Sequence, residues 1–168
     1  MRNPFLKATL PFVFVLALAS CSSDKPEDSI TNVPQTEIVQ NYNYNADELE
    51  LMEQINQYRE SIGKHPLQTI NHISYKSEEH TEYMIAMNAI NHDNFDERSQ
   101  NLVDVLGATK VSENVAYNYA TPEAVLHAWL ESDGHKKNIE GEYTHFGVSV
   151  KTNPANGNKY YTNIFIKK

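Results

Sequence analysis

The hydrophobic repeat changes once along this chain, and that change constrains the fold more than any other feature. From about residue 45 to residue 134 the apolar side chains recur at helical spacing. From Phe146 onward they alternate, first as Phe146, Val148 and Val150, then as Tyr160, Thr162, Ile164 and Ile166. A repeat of two puts every second side chain on one face of a strand, whereas spacings of three and four line one face of a helix. The loop between the two runs carries Pro154 and Asn156-Gly157, which favour a turn, so the runs read as an antiparallel hairpin. Helices first and strands late predict an α+β fold.

The helical part is divided by its own punctuation. Asn45 followed by Glu48 is a capping-box pattern, Leu51, Ile55, Tyr58 and Ile62 form an apolar stripe, and Gly63 with Pro66 stops the helix. A second helix is expected from His72 to Ala89, with Ile73, Tyr83, Met84 and Met87 inward. A third, weaker one runs from Arg98 to Leu106 and stops at Gly107. The fourth starts with Thr121 as cap, Pro122 in the first turn and Glu123 favouring the dipole; it presents Val125, Leu126 and Trp129 and is expected to end at Gly134.

The N-terminus reads as a targeting segment. Arg2 and Lys7 precede an apolar run, Leu10 to Leu18, that is shorter than the ~20 residues a spanning helix needs. Leu18-Ala19-Ser20-Cys21 has the form of a lipobox, so residues 1–20 are expected to be a lipoprotein signal peptide and Cys21 the lipidated residue. Cys21 is the single cysteine, which excludes an intrachain disulfide. Residues 21–45 are polar and read as a flexible tether; residues 46–168 suffice for one core. The protein is thus expected in the cell envelope, outside the cytoplasm, held to a membrane by its lipid. Ser22 is compatible with outer-membrane sorting in a Gram-negative cell. The chain carries −8, and loss of Arg2 and Lys7 makes it more negative. That balance argues against nucleic acid, whose binding rests on neutralising phosphates.

Several short runs, in order, resemble one family. They are Ile55-Asn56-Gln57-Tyr58-Arg59, Pro66-Leu67, Asn91-His92-Asp93, Ser112-Glu113-Asn114, Trp129 with Ser132-x-Gly134-His135-x-x-Asn138-Ile139, and Tyr143-Thr144-x-Phe146-Gly147-Val148. Together they are similar to the CAP superfamily (cysteine-rich secretory, antigen 5 and pathogenesis-related proteins) in its bacterial SCP-like form. The resemblance implies an α-β-α sandwich, with a small antiparallel sheet between helical layers. It also implies a central cavity lined by two histidines and one or two glutamates, which map to His92, His135 and Glu113. The second glutamate of many eukaryotic members is replaced by Ser132. Glu131 is one helical step, ~100°, away and should face elsewhere.

Two imidazoles and a carboxylate are a plausible set for Zn2+ or another divalent metal, with Glu113 as ligand or as the base holding a water. They could equally form a proton-transfer pair tuned by Glu113. The residues also admit plain structural roles: His135 hydrogen-bonding at a helix end, Glu113 fixing a loop, His92 at a surface turn. No Gly-x-Ser-x-Gly elbow supports Ser132 as a nucleophile. His65, His72, His80, His127 and His145 fit no ligand spacing and are expected mostly in solvent. Asp93, Asp96 and Glu97 only weakly suggest calcium. Tyr42, Tyr44, Tyr58, Tyr117 and Tyr119 could stack on sugars or lipids, or fill space. Trp129 is expected in the core and Arg98 paired with a nearby carboxylate. Three functions compete: a binding module for a small apolar ligand, a wall component or a protein; a metal- or histidine-dependent hydrolase of peptidase type; and an interaction protein with a vestigial pocket.

Overall fold

Helix starts and stops fall where local chemistry puts them. Asn45 accepts from the Glu48 amide while Glu48 accepts from the Asn45 amide, closing the capping box at the head of α1 (Ala46–Ser61); such caps are worth about 1 kcal/mol. At the other end Gly63 takes a left-handed conformation. The Gly63 and Lys64 amides then reach back to the carbonyls of Glu60 and Arg59, satisfying groups the helix leaves open. Residues 37–168 are described by the structure, a computed structural model; the expected signal segment, Cys21 and the first part of the tether lie outside them.

The chain continues through β1 (Gln68–Thr69), α2 (Asn71–Met87), α3 (Phe95–Leu106), β2 (Lys110–Tyr117), α4 (Pro122–Leu130), α5 (Asp133–Ile139), β3 (His145–Thr152) and β4 (Lys159–Lys167). The strands form one sheet in the order β1-β3-β4-β2. The expected hairpin is β3 and β4, paired from Thr152↔Lys159 to His145↔Ile166. Two further strands were not legible. β2 pairs antiparallel with β4, and the short β1 runs parallel to β3, so the sheet is mixed and not wholly antiparallel.

Helices cover both faces, and this places the core. On one side Leu51, Ile55, Val125, Trp129 and Ile139 pack on Phe146, Val148, Tyr161 and Phe165. On the other, Ile73, Leu102 and Leu106 meet Ile164 and Ile166, while Met84 meets Val115 and Tyr160. β4 is therefore buried on both faces, and the alternation reads only one of them. All of these core residues lie between Leu51 and Ile166.

One helix end and one helix face differ from expectation. α4 ends at Leu130 and not at Gly134, which lies inside the separate α5. The inner face of α2 is Ile73, Ser74, Ser77, His80, Thr81 and Met84, whereas Met87 is exposed. The reason is a close approach. A Cβ on Gly147 would lie 2.6 Å from the Ile73 carbonyl carbon and closer still to the Ser74 nitrogen, so α2 sits directly on β3. Only small side chains fit there, and their hydroxyls bond locally: Ser77 to the carbonyls of Ile73 and Gly147, Thr81 to Ser77 and Thr162.

Among the described residues, hydrogen bonds to the domain begin at Val39, inside the stretch read as tether. The Val39 amide donates to His72 Nδ1, Asn71 to the Gln40 carbonyl, Tyr42 to Glu48 and Tyr44 to Asn71. Polar composition hid this, because backbone groups and tyrosine hydroxyls make the attachment. Among the described residues no helix is long and apolar enough to cross a membrane.

Candidate functional site

β2 is an edge strand, and such strands present unpaired backbone groups. Here α4 and α5 cover part of that edge with side chains. Trp129 Nε1 donates to the Val115 carbonyl (3.1 Å), and Asn138 Nδ2 to the Glu113 carbonyl (3.3 Å) and the Asn114 side chain (2.8 Å). Asn114 in turn donates to the His135 carbonyl (3.1 Å). The Trp129, His135 and Asn138 run is thereby pinned beside Glu113 and Val115.

Glu113 is the hub. Its carboxylate is 1% exposed and faces Arg98, whose side chain is 9% exposed. Arg98 Nε donates to Oε2 (3.0 Å) and Nη2 to Oε1 (3.0 Å), while Nη1 holds the Asp93 carbonyl (2.6 Å). His92, in the turn before α3, places Nδ1 2.7 Å from Oε1. A carboxylate accepts, so Nδ1 carries the hydrogen of this bond. His80, expected in solvent, lies instead against this cluster. Its Nε2 donates to the Asn91 carbonyl (2.8 Å) and sits 3.7 Å from Glu113 Oε1, while its buried Nδ1 has no partner among the described residues. Burial pushes the His80 imidazole below the usual histidine range, against the pull of Glu113, which keeps it neutral at pH 7.

His135 reaches the neighbourhood from α5. Burial lowers its pKa first, and the nearby His92 lowers it further. Its ring lies 6.5 Å from that of Trp129. Together with Ser132, Ile90, Tyr117, Tyr119 and Trp129 it lines a groove of about 400 Å³. Of the three residues mapped from sequence, His92 and Glu113 are hydrogen-bonded, and His135 stands close by on the groove wall.

The sequence model of the cysteine-rich secretory protein family matches residues 52–165. The chain belongs to this CAP family. It is 43% identical over 60 residues to the uncharacterized membrane protein YlbC of Bacillus subtilis, a match covering 35% of this chain and 16% of that protein. It is 32% identical over 109 residues to the uncharacterized protein YkwD of the same organism, covering 61% and 42%. The chain thus spans less than half the length of either relative. An extracellular protein containing an SCP domain from Bacillus anthracis superposes with a TM-score of 0.62 at 27% identity, over 76% of this chain and 45% of that one.

The CAP fold does not make Glu113 a free metal ligand in this chain. Arg98 and His92 take three of the four lone-pair sites on its carboxylate, so a divalent ion there would compete with a guanidinium already paired to it. Without Glu113 two imidazoles remain, one short of the three protein ligands a catalytic zinc takes. Among the described residues no group of three or more His, Cys, Asp or Glu is arranged to hold a metal ion. Glu113 matches instead the carboxylate that orients a histidine from behind. The acids weighed for calcium are dispersed: Asp93 accepts from Tyr83, and Asp96 and Glu97 occupy the first turn of α3.

Other side chains fall as follows. Arg98 pairs with a carboxylate and Trp129 is buried, both as expected. Glu131 is exposed beside His127. Ser132 is the N-cap residue of α5 but makes no capping hydrogen bond. His72, like His80, is buried; it accepts from Val39 at Nδ1 and donates to Asn101 at Nε2. A usable signal existed for His80. It shares the helical stripe of Ser77, Met84 and Ile73, at spacings of three, four and seven.

Proposed function

We propose that this CAP chain is a binding module outside the cytoplasm, anchored by lipid at Cys21, that takes a largely apolar ligand in the groove between β2 and α4. The observation that carries this reading is the division of labour beside Glu113. The charged groups bind one another, whereas the adjoining groove offers Ile90, Tyr117, Tyr119 and Trp129, with Ser132 and His135 as its polar groups. Pockets that bind small molecules are mostly apolar with a few placed polar groups. The names of the relatives, a membrane protein and an extracellular protein, support the location.

Hydrolysis with Glu113 as the general base is the weaker reading, because its carboxylate already accepts from Arg98 and His92.

Trp129 is the single tryptophan and lines the groove, so it reports occupancy. Energy transfer from Trp129 to anilinonaphthalene sulfonate should saturate, and Ala128→Phe, which fills the groove, should weaken it about tenfold or more. Equal binding by the variant and the parent would remove the groove from the argument. Mass spectrometry of the mature N-terminus tests the anchor; a free thiol at Cys21 overturns it.

A further inference from the structure

A second cleft lies at the other end of the sheet. β2 and β4 pair from Lys110↔Lys167 to Tyr117↔Tyr160. The apolar groove is at the Tyr117 end, and a cleft of about 420 Å³ opens at the Lys167 end. It is lined by Arg59, Lys64, His65, Glu142, Thr144 and Lys167, among others. Three of these carry permanent positive charge and one is acidic, in a chain whose total is −8. Lys110 stands nearby, 4.5 Å over the Tyr143 ring.

Arg59 makes this more than a basic surface. It is 3% exposed. Nε donates to the His65 carbonyl (3.0 Å), and Nη1 to the carbonyls of Ile139 (2.6 Å) and Gly141 (3.0 Å). Its hydrogen-bond partners are neutral backbone oxygens, and the acid whose charge reaches it is the exposed Glu142. Nη2 has no partner among the described residues. The same three bonds lock the guanidinium in place. Lys64 holds Glu142 at 2.7 Å, but that acid is 83% exposed, and exposed pairs are worth so little that another anion can displace them.

We propose that this cleft binds a phosphate ester with a head of glycerol or sugar size. Two of the three guanidinium nitrogens are committed, so the flat fork that reads a carboxylate is unavailable. What remains is one fixed nitrogen with two N–H donors, and two mobile ammonium groups, around a polar hollow. That set suits a tetrahedral anion with oxygens pointing in several directions. The inference is independent of the apolar groove, and neither stands or falls with the other.

The test is a titration of the domain from residue 37 onward, followed by amide spectra, with inorganic phosphate and glycerol 1-phosphate as probes and glycerol as control. Saturable shifts are expected at Gly63, Lys64, Gln68, Thr144 and Lys167, with none at Tyr117 or Ala128. Arg59 is too buried to replace safely, so the variant is Lys64→Gln with Lys167→Gln, which keeps the fold and should weaken binding about tenfold. Sedimentation with phosphatidylglycerol vesicles tells a membrane-borne ester from a free one. No saturable shift with any phosphate, an equal response to glycerol, or undiminished binding by the double variant overturns the site.

Discussion

Glu113→Gln keeps the size of a side chain and removes its charge. In the fold the Glu113 oxygens accept from three directions, two on Arg98 and one on His92. An amide offers one oxygen and one NH2, so at least one donor must face another donor. Arg98 is also left as a buried cation without its counter-charge. Removing one partner of such a pair costs about 3–5 kcal/mol. For a domain of this size that lowers Tm by about 10–15 °C. Arg98→Met leaves the opposite orphan and should cost a similar amount. The double variant leaves neither charge stranded, so it should be clearly less destabilised than the two single losses combined. His92→Gln should cost about 1 kcal/mol or less, because the His92 side chain is 51% exposed. Thermal unfolding followed by circular dichroism measures all four proteins. A loss below about 1 kcal/mol in Glu113→Gln, or additive losses in the double variant, would show that the Arg98–Glu113 pair does not hold β2 and α3 together as argued.

Acid should destabilise the domain through its buried histidines. Burial lowers the pKa of His72, beside Lys76 and Glu79, and of His80, beside Glu113, Arg98 and His92. The unfolded chain titrates near 6.5, so it takes up protons first; the stabilisation is complete above that pH and is lost as pH falls below it. Denaturant midpoints should drop between about pH 7 and pH 5, less steeply in His72→Gln with His80→Gln, and a flat profile for the parent contradicts the assignment. Gly147→Ala should cost about 1–3 kcal/mol or more, because the added methyl meets the α2 backbone; an unchanged midpoint would mean α2 does not rest on β3. Deleting residues 37–44 should lower Tm by several degrees through the lost bonds to His72, Asn71 and Glu48, whereas a mere tether would leave it unchanged.

What the sequence alone settled is what neighbours in the chain decide. The Asn45–Glu48 box, the Gly63 and Gly107 stops, the Thr121-Pro122 start and the β3–β4 hairpin each depend on a few adjacent residues, and each stands where expected. The α+β class followed from the repeat, and the family from short runs kept in order. Folding in three dimensions decided the rest. β2 becomes a strand because β4 pairs along its length, α2 turns a hydroxyl face inward because Gly147 admits nothing larger, and His80 loses water because α2 lies on the sheet. Arg98 and Glu113 are fifteen residues apart, His92 and Glu113 twenty-one. The Nη2 donor of Arg59 stands open only because His65, Ile139 and Gly141 take the rest of its bonds. A propensity acts over one or two turns of chain, but burial and charge pairing depend on distances that no short stretch of sequence contains.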